Sequence, residues 1–220
     1  MSEYKNKIRL WECYKGQYPI SQKFGEHFYN QQNQCVYKNM GLEGHNGIDF
    51  ALPIGTNLWA VNDGLVYIAV EGKDGYGNYV RLHCRENDVY YEVTYGHCSK
   101  LSVKQGEKVK KGQIIAQSGN SGFSSGPHLH FGLRVLDDGG KVLNYDNGYK
   151  GSIDSLPLFD LSAENAPKNE ENKLLFEETP RVESNEYWEW FCRQKFIDNI
   201  DKTQNIQADT LAKILFKLKG

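Results

Sequence analysis

The chain reads as a mainly β protein: an antiparallel, sandwich-like β-sheet domain followed by a small helical appendage. Three observations predict it. Short apolar runs alternate with Gly, Asn and Asp turns from about residue 17 to residue 159, which is the punctuation of strands joined by tight turns. The composition, with 22 Gly and 14 Tyr in 220 residues, supplies turn formers and strand formers together. The clearest single strand, His128-Leu129-His130-Phe131-Gly132-Leu133-Arg134-Val135, alternates in character and is bounded by Gly126-Pro127 and Asp137-Asp138-Gly139-Gly140.

In chain order, residues 1–16 form an N-terminal extension and residues 17–159 the β-rich domain. Residues 160–186, rich in Glu, Asn, Ser and Pro, read as a linker. Residues 187–220 turn helical in pattern: Tyr187, Trp188, Trp190, Phe191, Phe196, Ile197 and Ile200 are apolar, and Leu211, Ile214, Leu215 and Leu218 recur at helical spacing. This segment either packs its aromatic stripe on itself or on the β domain, or presents Trp188 and Trp190 as anchors to a partner. Within the β domain, Val103 to Ala116 carries a Val-x-x-Gly-x-x-Val-x-x-Gly rhythm similar to the hairpin repeats of biotinyl and lipoyl domains. Those display a lysine at a tight turn between hydrophobic flanks. None stands here in that form, so the stretch reads as a β-turn scaffold.

The chemistry sits in the histidines. Of six in the chain, four fall in three motifs: His45-Asn46-Gly47-Ile48-Asp49, Tyr95-Gly96-His97, and Gly126-Pro127-His128-Leu129-His130-Phe131. Together they offer two His and one carboxylate to a zinc ion, with two further histidines to act on water. Three protein ligands and an open fourth position distinguish a catalytic zinc from a structural one. Residues two apart on a strand share a face, so His128 and His130 stand side by side, one able to bind metal and the other beside it. His45 and Asp49 are an even number apart, which turns both the same way on an extended backbone. Asn46-Gly47 makes a poor helix interior. His27 and His83 lie outside the motifs, and His83 reads as an ordinary strand residue.

From Tyr18 to Phe159 the chain resembles the lysostaphin-type (β-lytic) zinc metallopeptidases. The resemblance is carried by Ile20-Ser21-Gln22-Lys23-Phe24-Gly25, Gly44-His45-Asn46-Gly47-Ile48-Asp49-Phe50, Pro53-Ile54-Gly55-Thr56, Ala60-Val61-Asn62-Asp63-Gly64-Leu65-Val66 and Gly75-Tyr76-Gly77-Asn78-Tyr79-Val80. Tyr95-Gly96-His97, Val103 to Ala116 and Gly126-Pro127-His128-Leu129-His130-Phe131 complete it in the right order. It implies the lysostaphin-like, duplicated-hybrid-motif fold for residues 17–159. It also implies that His45, Asp49 and His130 are the zinc ligands and His97 and His128 the catalytic histidines, none of them substituted. The implied activity is hydrolysis of peptide cross-links or stem peptides of bacterial peptidoglycan by a zinc-activated water. No His-Glu-x-x-His helix is present to supply a glutamate base, and histidine has a suitable pKa for the task. The alternative is a non-catalytic or latent protein of the same fold acting as a wall-binding or regulatory module.

Composition bounds the partners. A net charge of -2 gives no reason to expect nucleic acid. No run of about 18 apolar residues suggests a membrane span. Residues 1–10 lack the apolar core of a secretory signal, so the expectation is a protein made in the cytosol that acts on the wall, as a phage-type lysin or virion-associated hydrolase does. The helical segment is then a possible contact to a wall component or another protein. Cys13, Cys35, Cys84, Cys98 and Cys192 are odd in number and lack metal-type spacing; they read as buried or free thiols. Cys98 follows His97 directly and is expected to face away from it, which disfavours a cysteine nucleophile. Residues Glu26 to Glu43 are expected to form one wall of the cleft.

Overall fold

The computed structural model describes residues 4–73 and 75–159; the linker and helical segment read at 160–220 lie outside the described residues. Strands run in chain order as β1 (Ile20–Gln22), β2 (Ile48–Phe50), β3 (Asn57–Trp59), β4 (Gly64–Val70), β5 (Asn78–Glu86), β6 (Val89–Cys98), β7 (Lys100–Leu101), β8 (Lys108–Val109), β9 (Ile114–Gln117), β10 (Leu129–Leu136) and β11 (Ser152–Ile153). All ladders between them are antiparallel. Among the described residues, helix is confined to short 3-10 turns at Val36–Met40 and Leu156–Leu158. The mainly β, antiparallel class is the one read from the sequence. No helix among the described residues is long and apolar enough to cross a membrane.

An 8-stranded sheet has the order β1-β2-β10-β6-β5-β4-β8, with β11 added beside β10; a second, 3-stranded sheet has the order β3-β9-β7. Strand β10 is the hub. It pairs with β6 along one edge, and with β2 and then β11 along the other. The β5–β6 hairpin turns at Asn87-Asp88, both at positive φ (45° and 60°), the left-handed geometry a two-residue hairpin requires. Val103 to Ala116 supplies β8 and the start of β9, so it contributes an edge strand to the large sheet and the central strand to the small one.

Alternation divides the faces of the large sheet. Tyr91, Val93 and Tyr95 of β6, with Leu129, Phe131 and Leu133 of β10, point into one hydrophobic core shared with Leu58, Ile115 and Ala116 of the small sheet. The opposite face of the same strands carries Glu92, Thr94, His128 and His130, also buried. A strand buried on both faces loses the clean apolar–polar alternation of a solvent-facing one, and here the second face is covered because it floors a cleft.

The segment read as an N-terminal extension belongs to this core. Ile8, Leu10, Trp11 and Cys13 are buried. Trp11 N–H donates to Val61 O at 3.1 Å, Trp59 N–H donates to Cys13 O at 2.8 Å, and the Trp11 and Trp59 rings stack at 5.5 Å. Leu10 forms a parallel bridge with Phe159, its N–H donating to Leu158 O at 2.8 Å. The segment has no strand-like period to announce this role. Leu10→Ala is expected to destabilise the domain by about 2–5 kcal/mol, as removal of a fully buried leucine does, and urea denaturation monitored by tryptophan fluorescence measures it.

Candidate metal centre

His45, Asp49 and His130 come together although 85 residues separate the first from the last. His130 and Asp49 are direct cross-strand partners between β10 and β2. His45 reaches them differently from the extended path expected: the chain bends at Asn46-Gly47 before β2 begins at Ile48. The bend needs glycine. A Cβ at Gly47 would lie 2.6 Å from the His130 ring and 2.6 Å from Phe131 O, far inside contact distance.

Three donor atoms form a small triangle. His45 Nε2 lies 3.0 Å from His130 Nδ1 and 3.1 Å from Asp49 Oδ1, and His130 Nδ1 lies 3.1 Å from Asp49 Oδ1. Those separations approach the edge, roughly 3.3–3.5 Å, of a tetrahedron with zinc–ligand bonds of about 2.0–2.1 Å. The ring orientations agree: His45 turns its Nδ1 to Lys23 O at 3.2 Å, leaving Nε2 for the triangle. A carbonyl behind an imidazole that fixes its tautomer is the usual support of a metal-binding histidine. Two imidazoles and a carboxylate suit zinc in kind as well as in spacing.

The charges fit a cation. Burial pushes the Asp49 carboxyl up, but the charges of His128 and His45 and hydrogen bonds from His130 and His45 outweigh it and hold it well below the usual range. His130 is pulled down by burial, against the pull of Asp49. At neutral pH the triangle is therefore an ionised carboxylate with a neutral His130, the protonation a divalent cation needs.

His128 and His97 stand beside the triangle. His128 leads into β10 and shares the Asp49-facing side with His130, its Nε2 lying 3.6 Å from Asp49 Oδ2. Its Nδ1 is 2.8 Å from Gly126 O and 3.2 Å from Ser124 Oγ. His97 ends β6 at positive φ (61°), a conformation uncommon outside glycine and often found where geometry serves a site. Its Nδ1 is 2.8 Å from Ser121 O, and its ring centre is 4.5 Å from that of His128. Burial pulls His97 down to about 3, with the neighbouring His128 and His130 adding to the shift. Both rings thus have Nδ1 against a backbone carbonyl and Nε2 available.

Cys98, next in sequence, is fully buried in the hydrophobic core, and burial pushes its thiol up to about 12. It has neither the position nor the acidity of a nucleophile. Cys13, Cys35 and Cys84 are likewise free and buried, while Cys192 lies outside the described residues. His83 occupies β5, where it meets Glu92 rather than the triangle. His27 sits against Cys35 at 3.6 Å.

The five residues open into one cavity of about 900 Å³, one side of which is formed by Phe28, Val36, Tyr37, Met40 and Leu42, from the stretch expected to be a cleft wall. Several contributors escaped sequence reasoning. Tyr76 accepts from Asn46 Nδ2 at 2.8 Å and packs near the His130 ring. Ser121, Ser124 and Gly126 come from a Ser/Gly-rich loop that reads as a plain connection; its Gly122 and the β4–β5 loop's Gly77 approach so closely that a Cβ on either would meet backbone at 2.3–2.4 Å. Arg81 and Arg134, ordinary strand residues by pattern, also line the cavity.

Comparison with known proteins agrees in sequence and in fold. Residues 43–145 match the sequence model of Peptidase family M23. The chain is 34% identical over 173 residues to peptidoglycan DD-endopeptidase ShyA of Vibrio cholerae, covering 78% of this chain and 38% of that protein. It is 43% identical over 94 residues to glycyl-glycine endopeptidase ALE-1 of Staphylococcus capitis, covering 42% of this chain and 25% of that one. A solved structure of a zinc-containing peptidase from Vibrio cholerae superposes with a TM-score of 0.51 at 29% identity, over 69% of this chain and 39% of that one. The chain thus spans about a third of the length of the curated relatives it matches.

The bend before β2 gives a direct check. Gly47→Ala is expected to displace the His130 ring and weaken zinc binding about 10- to 100-fold, the usual cost of disturbing the support of a metal-binding histidine. Competition with a chromophoric chelator measures it.

Proposed function

The chain carries a peptidase family M23 domain and belongs with the lysostaphin-type metallopeptidases, and from that premise we propose that it is a zinc-dependent endopeptidase acting on peptide cross-links or stem peptides of bacterial peptidoglycan. One observation carries the reading: three donor atoms stand mutually 3.0–3.1 Å apart, flanked by two histidines that are not needed to complete the triangle. In this reading His45 through Nε2, His130 through Nδ1 and Asp49 through Oδ1 hold the metal. Zinc, when bound, supplies a Lewis acid that makes water nucleophilic near neutral pH and polarises a carbonyl.

The chain's own residues do the rest. Ser121 O and Gly126 O each hold a proton on the Nδ1 of His97 and His128, so each ring presents a lone pair at Nε2. A neutral imidazole in that orientation accepts a proton or a hydrogen bond from water and can then donate to a leaving amine. The rings lie with centres 4.5 Å apart on one side of the cluster, so they address the same small region. The His128 ring is held through Nδ1 by Gly126 O and Ser124 Oγ, which leaves its Nε2 3.6 Å from Asp49 Oδ2, beside the triangle. The wall formed by Phe28, Val36, Tyr37, Met40 and Leu42 keeps bulk water from one side of the cleft.

The reading has a direct experiment. Zinc-loaded protein is expected to reduce the turbidity of purified cell-wall sacculi, to lose that activity with a chelator, and to regain it with zinc. His128→Ala is expected to retain zinc while lysis falls at least about 100-fold, the scale of a lost general acid–base group. Asp49→Ala is expected to lose zinc and lysis together. Full zinc retention in Asp49→Ala would remove the ligand assignment. Stoichiometric zinc with no lysis of several wall chemistries would remove the substrate.

A further inference from the structure

The cleft is cationic in a chain whose overall charge is -2. Arg81, Arg134 and Lys150 line the cavity, and Asp49 is the acidic residue among its lining residues. In the reading above Asp49 is committed to the metal, whose own charge adds to the positive field. The arginines are not scattered. On the cleft face of the large sheet, successive rows step away from the metal centre: His130 opposite Gly96, then Gly132 opposite Thr94 opposite Arg81, then Arg134 opposite Glu92 opposite His83. At about 3.3 Å per residue, the Arg81 row lies roughly 7 Å from the His130 row and the Arg134 row roughly 13 Å from it.

Glu92 fastens this end of the sheet. Its buried carboxylate takes Arg134 Nε at 3.0 Å and a second Arg134 nitrogen, and His83 Nε2 at 3.2 Å. Arg81 is held more loosely, with Nε 3.6 Å from Glu92 and the guanidinium stacked 5.2 Å over Tyr79 and 5.7 Å from Tyr76. One carboxylate therefore serves two guanidinium groups. Even with Glu92 included, cations outnumber the carboxylates that face them. Between this cationic end and the histidines, Gly96 and Gly132 add no side chain of their own, and Tyr76, Asn46 and the His130 ring close over them. A peptide with its scissile bond at the histidines places its next groups roughly 7 Å on, within reach of the Arg81 row.

We propose that this cleft selects a peptide bearing a free carboxylate near the scissile bond, with Arg81 and Lys150 as specificity-determining residues, in preference to an uncharged glycine bridge. The inference rests on the endopeptidase reading and names the substrate class within it. Guanidinium groups suit carboxylates in geometry as well as charge. An oligoglycine strand would offer Lys150 no charged partner and would leave Arg81 only the carboxylate it shares with Arg134.

The test uses zinc-loaded protein of residues 1–220 and one cross-linked muropeptide preparation, either native or with its free carboxylates converted to carboxamides. Wild type is expected to favour the carboxylate form by about tenfold in kcat/KM, the worth of one partly exposed charge-assisted hydrogen bond, and to lose part of that preference at high salt. Arg81→Gln and, independently, Lys150→Gln are expected to bring the ratio toward unity, chiefly through KM for the carboxylate form. Two substitutions on different elements keep the test sound if one disturbs folding. Equal cleavage of both forms by wild type, or a preference kept by both variants, would overturn the inference and leave the endopeptidase reading standing. Cleavage of neither form by zinc-loaded protein would overturn both.

Discussion

One strand register holds the site together. β10 pairs with β2 so that His130 faces Asp49, and with β6 so that His130 faces Gly96. Side chains on a strand alternate, so a slip of one residue would carry His130 into the core and bring Leu129 or Phe131 into the cleft. Leu129, Phe131 and Leu133 are fully buried and resist that exchange. The apolar face thereby specifies the polar one: packing that stabilises the fold also fixes which atoms meet at the candidate metal centre. The same register sets the rows behind it, from Gly132 and Thr94 to Arg134 and Glu92.

The cleft face carries the two buried carboxylates found among the described residues, and they do different work. Asp49 is surrounded by imidazoles that leave it ionised. Burial pushes the Glu92 carboxyl up, yet a hydrogen bond from His83 and the charges of Arg134 and Arg81 outweigh it and keep it below its usual range. A buried carboxylate is costly unless such partners satisfy it. Here the partners are themselves positioned by the arrangement, so Glu92 acts as a post to which two long, flexible side chains are tied.

The candidate metal centre is more legible in the sequence than the cationic end of the cleft. His128 and His130 announce themselves because a two-residue spacing on a strand has one geometric meaning. For His45 and Asp49 the even spacing is only part of the reason: a bend at Asn46-Gly47, rather than continuous extension, brings the imidazole back over the strand. Arg81, Glu92 and Arg134 lie on three different strands, and charged residues in strands read as solvent-facing until the pairing is known. Ile8 to Cys13 was set apart as an extension because its burial depends on the distant Val61, Trp59 and Leu158, and a local pattern carries no trace of such partners. The supporting carbonyls of Lys23, Ser121 and Gly126 are backbone atoms, which no residue type reveals.

The bridge between Leu10 and Phe159 ties the first buried segment of the domain to the last, side by side and in parallel. Topologically, the unit is close to a ring whose seam lies at that bridge. Such a unit can be spliced into a loop of another protein, or reopened at an exposed turn and rejoined across the seam, with little change to its core. Asn87-Asp88, the tight turn between β5 and β6, is the natural place to reopen it. Cutting there would move the chain ends without interrupting β2, β6 or β10, the strands whose pairing holds the cluster.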